Sequence, residues 1–286
     1  MTHAVLQGVL YGHGHMGRLH ATKLRARPDV ELKVIDPALG MYAPESNNPD
    51  FAIIATPTQL HAQIASPLLN AGVPCLVEKP LASSMTDAAR LAAHAHLCVG
   101  HIERFNPVFS LISECKPEFI EVERLAPFSD RSMDIDVIAD LMIHDLDLLL
   151  RYMPGEIVDV RAKGIGVISN RPDIVQARIE VLLQNGRIGV ASISASRVST
   201  TAARRWRLIE SGQYWSLDLL TRTVKKVDWA SGALTPTTVA VPDSDPLQAE
   251  HDAFLHTVRG EQSFPCTGSD ALAAMTLAER VRSCLR

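Results

Sequence analysis

One short segment limits the folds open to this chain: the glycine-rich loop Gly12-His13-Gly14-His15-Met16-Gly17, which lies between an apolar run and a helical pattern. The run Leu6–Tyr11 has the length and composition of a buried strand, and Met16–Ala26 has apolar residues at helical spacing. Glycines here allow a sharp turn and a close approach of the backbone to a pyrophosphate, whose charge is stabilised at the helix N-terminus. This strand–loop–helix unit predicts a dinucleotide-binding domain.

Strand and helix patterns continue to alternate through the first hundred residues. Further strands are predicted at Val30–Asp36, Phe51–Ala55, Pro74–Val77 and Leu97–Gly100, and helices at Leu60–Ala71 and Thr86–Ala95. Strands this short and apolar, separated by helices, indicate a parallel sheet covered on both faces. The predicted fold class is therefore α/β in this half, with a Rossmann domain over residues 1–104.

The second half of the chain shows a different pattern. A helix is predicted at Val137–Tyr152, and apolar and polar residues then alternate from Ala177 to Gln184. Gln184-Asn185-Gly186 is typical of a type I′ hairpin turn, and Ser211-Gly212 lies between two further strands. We predict an α+β domain over residues 105–286, built on an open antiparallel sheet. With 286 residues, two domains of ordinary size are expected.

Charge and cysteine usage exclude several classes of protein. The 28 Lys+Arg and 32 Asp+Glu give a net charge of −4, so the chain has no overall basic bias toward nucleic acid or an anionic membrane. Five cysteines without CxxC spacing are typical of reduced thiols. No apolar run approaches the roughly 18 residues of a membrane span, and no signal peptide is evident. We expect a cytoplasmic protein without a nucleic-acid or membrane partner, and no bound metal, because no ligand cluster has metal spacing.

An acidic residue follows the glycine loop at the distance that ribose recognition requires. Asp36 ends the second predicted strand, where its carboxylate would bind the adenosine ribose hydroxyls. The same charge would repel the extra phosphate of NADP, and Pro37 and Ala38 supply no basic side chain for it. The expected cofactor is therefore NAD rather than NADP.

Three motifs taken in order resemble one enzyme family. Gly12-x-Gly14-x-Met16-Gly17-x-x-His20, Ala55-Thr56-Pro57-x-x-x-His61 and Glu78-Lys79-Pro80 are similar to those of the Gfo/Idh/MocA oxidoreductases, NAD(P)-dependent enzymes acting on sugars, inositols and nucleotide sugars. The resemblance also covers the second domain, whose leading helix contains Asp140-x-x-x-His144. It implies cofactor contacts from Gly12, Gly14, His15, Met16, Gly17, Asp36, Thr56, Pro57, His61 and Glu78.

The catalytic candidates are Lys79, His144 and Asp140. Lys79 follows an apolar strand, which places it at the carboxyl edge of the parallel sheet, where it could donate to the reacting hydroxyl oxygen. Since the family places the Asp-x-x-x-His pair over the nicotinamide, we assign His144 as the general base, with Asp140 orienting its ring or binding a neighbouring hydroxyl. The alternative is a surface lysine and a buried structural histidine. Asp145 and Asp147 are expected to be solvated or to cap nearby groups.

Substrate contacts are expected from the polar run after the last parallel strand. His101, Arg104 and Asn106 lie in a segment that resembles the branch acting on UDP-N-acetylhexosamines, including oxidation at the sugar 3-hydroxyl. The alternative is a domain junction in which Glu103 and Arg104 are paired. In the second domain, Ile193 and Ala195 alternate with Val190 and Ser192, so both sheet faces have apolar residues and a homodimer or homotetramer is expected.

One departure from the family leaves rival functions open. Only 15 residues, Pro37 to Phe51, separate Asp36 from Ala52, which is too few for the helix, strand and helical segment usual there. We predict a sheet shortened on the adenine side. The main hypothesis is a dehydrogenase or reductase of a sugar or nucleotide sugar. The alternatives are a glycosidase that oxidises its substrate transiently and a non-catalytic dinucleotide sensor of the same fold.

Overall fold

The chain divides into two compact units, one of residues 1–105 with 245–272 and one of 106–244 with 273–286. The computed structural model describes residues 4–41, 49–129, 135–230 and 233–285. The segment 245–272 belongs to the first unit, whereas the sequence-based boundary assigns it to the second domain. Phe254 accounts for part of this difference, since its ring packs edge-on against Phe51 with centroids 5.6 Å apart.

The first unit contains a five-stranded parallel sheet in the order β2-β1-β3-β4-β5. Its strands are β1 (Leu6–Tyr11), β2 (Val30–Ile35), β3 (Phe51–Ile54), β4 (Cys75–Glu78) and β5 (Leu97–Gly100). Its helices are α1 (His15–Arg25), α2 (His61–Asn70), α3 (Met85–Ala92) and α5 (Pro246–Val258). Every residue of β3, β4 and β5 is buried, as expected for a parallel sheet with helices on both faces. The Rossmann prediction is confirmed.

In the part of the chain that the structure describes, β2 is the edge strand on the side expected to face adenine. Residues 42–48, in the segment predicted to be too short for a further strand, lie outside the described residues, so the shortened sheet stays a prediction. Asp36 follows β2 directly and begins a 3-10 turn, Pro37–Leu39, by accepting a hydrogen bond from Ala38 N at 3.1 Å. The chain then turns at Gly40, whose φ of +69° favours glycine.

The second unit contains an eight-stranded sheet in the order β13-β12-β11-β10-β6-β9-β8-β7. Its strands are β6 (Phe119–Leu125), β7 (Gly155–Ile165), β8 (Ile174–Leu183), β9 (Ile188–Ser196), β10 (Ala203–Glu210), β11 (Gln213–Asp218), β12 (Thr223–Ala230) and β13 (Ala233–Val239). All neighbours are antiparallel except β6 and β9, which run parallel. The second half is therefore mostly antiparallel, as predicted. Helix α4 (Ile143–Tyr152) lies in this unit, and α6 (Gly268–Ser283) contributes residues to both units.

The turn between β8 and β9 differs from the type I′ turn predicted for Asn-Gly. Gly186 has a φ of +79°, but Asn185 does not adopt a positive φ. Gly186 N donates to Leu183 O at 2.9 Å, and the Asn185 side chain accepts from Arg187 N at 3.0 Å. The loop is therefore one residue longer than a type I′ hairpin, with only its glycine in the left-handed region.

The helix predicted at Val137–Tyr152 begins with a π-helical turn, Ile138–Met142, before α4. Asp145 in the first turn of α4 is fully buried, so the expectation that it is solvated is wrong. Its carboxylate accepts two hydrogen bonds from Arg124 of β6, at 2.6 and 2.8 Å, and one from Trp206 Nε1 of β10 at 3.0 Å. The ion pair between Asp145 and Arg124 therefore fixes α4 to its sheet. Asp147 is also buried, with 1% of its surface exposed.

No described helix has both the length and the apolar composition needed to cross a bilayer.

Candidate active site

The glycine loop has one open glycine between two enclosed ones. A Cβ on Gly12, whose φ is +91°, would lie 2.6 Å from Ala55 O, and one on Gly17 would lie 2.1 Å from Gly12 O. A Cβ on Gly14 would meet nothing within 4 Å. Gly12 and Gly17 are therefore required by the turn itself, whereas Gly14 faces the space that a ligand would enter.

The groups around this loop fit a dinucleotide. The first N–H groups of α1, beginning at His15 and Met16, have no intrahelical acceptor and face the position of an anion at the helix N-terminus. Two buried atoms beside the loop, His13 Nδ1 and Thr56 Oγ1, have no hydrogen-bond partner among the described residues. Thr56 N lies near Gly12 as well, 2.9 Å from where a Cβ would be. Open space, free N–H groups and unsatisfied polar atoms together match a bound phosphate and its ribose.

Asp36 lies beside the same loop. Its Oδ2 accepts a hydrogen bond from His13 N at 2.7 Å, and its Oδ1 accepts from Ala38 N. Each carboxylate oxygen can accept a second hydrogen bond, so both remain able to bind ribose hydroxyls. The role of Asp36 in ribose binding stays a prediction.

His61 connects two loops that follow strands of the parallel sheet, at the carboxyl ends of those strands. Its Nδ1 lies 3.1 Å from Pro80 O, and its Nε2 lies 3.0 Å from Thr56 O. Burial lowers the pKa of His61, so its neutral ring donates to one carbonyl at a time. His61 begins α2, and its ring connects the loop after β3, which includes Pro57, to the loop after β4.

Lys79 immediately follows β4, whose carboxyl end lies beside that of β3. Its side chain is half-buried, and the Lys79–Pro80 peptide bond is cis. Glu78 is buried and its Oε1 lies 2.9 Å from His20 Nε2. Burial by itself would raise the pKa of Glu78, but the hydrogen bond from His20 and the charges of His20 and Lys79 outweigh it, and the pKa is lowered. Glu78 is thus an anion that connects β4 to α1, and its expected contact with the cofactor stays a prediction.

Asp140 and His144 both lie at the beginning of the helical segment of the second unit. Asp140 is half-buried in the π-helical turn, and His144 is 9% exposed in the first turn of α4. π-helical turns are frequent at functional sites. Lys79 belongs to the first unit and this pair to the second, so their convergence on one substrate stays a prediction.

The three expected substrate residues have structural contacts of their own. His101 is 1% exposed, and its backbone N–H donates to Val99 O at 2.9 Å. Arg104 donates to Pro265 O and lies 3.6 Å from Asp270. In the second unit, Asn106 Oδ1 accepts from Val108 N, and its Nδ2 donates to Leu219 O, each at 3.3 Å. Their role in substrate binding stays a prediction.

Sequence reasoning missed two groups of residues near this edge. His13 belongs to the loop motif but has no conventional role there, so only the structure singles out its unsatisfied nitrogen. Glu250 and His251 of α5 lie against His20 and Glu78. No local signal could have indicated this contact, because the residues are far apart in the chain.

The open glycine gives a test of the cofactor site. We expect Gly14→Val to weaken NADH binding at least about tenfold, because a side chain there would occupy the space left for the pyrophosphate. Its thermal unfolding should stay close to that of the wild type, since nothing lies within 4 Å of the new Cβ. NADH fluorescence titration and calorimetry measure the two effects.

Gly17→Ala is the matched comparison. Its Cβ would lie 2.1 Å from Gly12 O, so this variant should lose folding stability as well as binding. Unchanged NADH affinity in Gly14→Val would exclude Gly14 from the binding site.

Comparisons with known proteins agree with this description. Residues 39–97 match a family model described as an oxidoreductase family with an NAD-binding Rossmann fold. A UDP-N-acetylglucosamine 3-dehydrogenase from Acidithiobacillus ferrooxidans is 34% identical over 95% of this chain and 94% of that protein. Its solved structure, named GnnA, superposes with a TM-score of 0.87 over 99% of this chain and 98% of that one.

More distant relatives extend the comparison. The uncharacterised oxidoreductase YrbE from Bacillus subtilis is 24% identical over all of this chain and 95% of its own length. A myo-inositol dehydrogenase structure from Corynebacterium glutamicum, at 21% identity, shares the fold with a TM-score of 0.74 over 98% of this chain and 96% of that one.

Proposed function

Because this chain belongs to the Gfo/Idh/MocA family of NAD-binding oxidoreductases, we propose that it is an NAD-dependent dehydrogenase or reductase of a nucleotide sugar. Hydride would pass between the nicotinamide and a hydroxyl-bearing carbon of the sugar. The observation that supports this most strongly is the open Gly14 beside two unsatisfied buried atoms, with Lys79 on the same edge of the sheet. We also place the enzyme in the cytoplasm, in keeping with its five free cysteines.

The chain's own residues would manage the proton of the reacting hydroxyl. The Lys79 ammonium would donate a hydrogen bond to the hydroxyl oxygen and stabilise negative charge developing there. A ring nitrogen of His144 would accept the hydroxyl proton, and Asp140 would hold that ring in orientation. Bound NAD would supply the hydride acceptor. In the reductive direction the same groups would return the proton.

The substrate class is inferred from the relative with 34% identity, which is named for UDP-N-acetylglucosamine. We propose a UDP-N-acetylhexosamine, oxidised at the sugar 3-hydroxyl, as the substrate. His101, Arg104 and Asn106 would contact it. The test incubates the enzyme with NAD and each UDP-N-acetylhexosamine in turn and follows NADH formation, with UDP-glucose as the comparison. NADH formation only with unrelated sugars or inositols would exclude the proposed class.

Two other functions make different predictions in the same assay. A glycosidase with transient oxidation would release the group attached to the sugar without net NADH. A dinucleotide sensor would bind NADH and turn over nothing. The candidate acid–base residues Lys79, Asp140 and His144 favour the dehydrogenase, because a sensor has no use for them.

We further propose that the enzyme forms a homodimer or homotetramer through its eight-stranded sheet. Ile193 and Ala195 are buried within the second unit, whereas Val190 and Ser192 on the alternate face are only half-buried. Exposed Ile174, Leu182 and Ile188 extend this apolar character along β8 and β9. Light scattering at micromolar concentration measures the oligomeric state, and a monomer would contradict the proposal.

Asp36 gives a prediction about cofactor choice. We expect NADH to bind more tightly than NADPH, because the Asp36 carboxylate would repel the 2′-phosphate. Asp36→Ala should narrow this preference by weakening NADH binding and relieving the repulsion. Fluorescence titration with both cofactors measures the ratio of dissociation constants. Tighter binding of NADPH by the wild type would show that Asp36 has another role.

A further inference from the structure

Four ionisable side chains are buried together in the first unit. This buried quartet consists of His20 from α1, Glu78 from β4, and Glu250 and His251 from α5. His20, Glu250 and His251 have no exposed surface, and Glu78 is 7% exposed. His20 Nδ1 lies 2.7 Å from His251 Nε2, while His20 Nε2 contacts Glu78. The quartet is thus a chain of contacts that ends on the residue before Lys79.

Glu250 is the member that these hydrogen bonds do not explain. Neither of its carboxyl oxygens has a hydrogen-bond partner among the described residues, although both are buried. Donor and acceptor atoms of Glu250, Glu78 and His20 all lie within 4.8 Å of one another. Burying a carboxyl group without hydrogen bonds costs folding free energy, so the position of Glu250 beside Glu78 requires a physical explanation.

The contacts of the two histidines limit where their protons can lie. Burial lowers the pKa of His251 to about 2, so its ring is neutral and has a single N–H group. His20 donates from its Nε2 to Glu78, and a single proton lies between His20 Nδ1 and His251 Nε2. Glu78 then receives one N–H from the side of α1 and can accept another donor.

Glu250 can be that donor because its environment keeps it neutral. Burial raises the pKa of Glu250 well above its ordinary value, and the charge of Glu78 raises it further. The elements packed around it contain the following charged and titratable groups: His15, Arg18, His20, Lys23 and Arg25 of α1, Cys75 and Glu78 of β4 with Lys79 after it, Cys98 of β5, and Glu103 and Arg104 of the segment 102–105. Lys23 pairs with Asp245, and Arg104 lies near Asp270, so each of these two cations already has a carboxylate partner other than Glu250.

We propose that Glu250 is a positioning residue that acts as a neutral hydrogen-bond donor to Glu78 and thereby holds the strand end that bears Lys79. The separation of at most 4.8 Å is one that a single bridging water spans. Glu78 is then held from two sides, by the helix that follows the glycine loop and by α5. The proposal rests on the proposed function, in which Lys79 contacts the reacting hydroxyl.

A divalent metal explains the quartet less well. Ligand atoms about 2.1 Å from a tetrahedral zinc ion lie roughly 3.4 Å apart. The His20 and Glu78 atoms lie only 2.9 Å apart, which is a hydrogen-bond distance, and both nitrogens of His20 are already engaged.

The test compares the pH dependence of stability in the wild type and in Glu250→Gln. The folded wild type retains a proton on Glu250 that the unfolded chain releases above about pH 4.3, so its stability falls as pH rises from there through the raised pKa. Glu250→Gln has no such proton. Its unfolding equilibrium constant relative to the wild type should fall by up to about tenfold per pH unit in that range. Glu31→Gln, which changes an exposed glutamate of β2, is the matched control and should show no such trend.

Activity gives a second measurement. Glu250→Gln should retain turnover because its amide still donates to Glu78, whereas Glu250→Leu should lose roughly tenfold or more in kcat with NADH affinity unchanged. Equal turnover in the Leu variant would overturn the positioning role. The stability comparison needs no substrate, so failure of the proposed function would leave it interpretable.

The proposal would be overturned if the free energy of unfolding depended on pH in the same way in the wild type and in Glu250→Gln. A stoichiometric metal found by elemental analysis of the purified protein would also overturn it. If Glu250→Gln does not fold, carboxyl NMR of wild-type protein labelled at glutamate replaces it. One carboxyl resonance that titrates well above the ordinary range of glutamate is expected, and ordinary titration of every resonance would contradict it.

Discussion

Lys79→Ala should lose about 10²–10⁴ in turnover while still binding NADH, because a positioned acid–base group contributes on that scale and Lys79 lies outside the glycine loop. The position of Lys79 supports this expectation. It follows β4 directly, and Glu78 before it is held by His20 while Pro80 after it contacts His61. Steady-state turnover beside NADH fluorescence titration separates chemistry from binding.

A control and a second variant sharpen this test. Lys33→Ala removes an exposed lysine from β2 and should leave both measurements unchanged. His144→Ala should lose turnover on the same scale as Lys79→Ala, and Asp140→Asn should lose less if it only orients the ring. Wild-type turnover in His144→Ala would remove it as the base and leave Lys79 as the remaining candidate.

Arg124→Met should destabilise the protein by about 3–5 kcal/mol, because it leaves the Asp145 carboxylate buried without its cation. Asp145 is fully buried, and Arg124 supplies two of the three hydrogen bonds described for its carboxylate. Trp206 supplies the third, which cannot compensate a full charge. Chemical denaturation measures the free energy of unfolding.

The double variant Arg124→Met/Asp145→Leu distinguishes the ion pair from simple packing. It removes both charges, so most of the lost stability should return. Arg207→Met is the matched control, since Arg207 lies on β10 and pairs with Glu121 at a half-exposed surface position, where an ion pair contributes at most about 1 kcal/mol. A double variant as unstable as Arg124→Met would show that side-chain packing, and not the unpaired charge of Asp145, causes the loss of stability.

The parts of the fold that could be predicted are those whose signal is local. The glycine loop, the short apolar strands of the parallel sheet and the hairpin at Ser211-Gly212 each have a pattern within a few residues. The expectation of a shortened edge after Asp36 rests on the length of the segment alone. These local patterns also indicated which loops contribute to the candidate cofactor site.

What could not be predicted depends on contacts between distant residues. The single parallel pair of the second sheet, β6 with β9, has no signal in the amino-acid sequence of either strand. Asp145 has the sequence pattern of an exposed helix residue, and only Arg124 and Trp206, from two other elements, make its burial possible. The environment of Glu250 arises in the same way, because its neighbours come from α1 and β4.

The return of residues 245–272 to the first unit has a consequence for synthesis on the ribosome. Phe51 is made early, but Phe254, which packs against it, is not. At about 5–20 residues per second, the nascent sheet would wait roughly 10–40 s before α5 could cover it. During that interval residues 106–244, the larger part of the second unit, are translated. Translation of the first unit is complete only at residue 272 and that of the second at residue 286, so the dinucleotide domain, first to emerge, cannot finish folding until nearly the whole polypeptide has been translated.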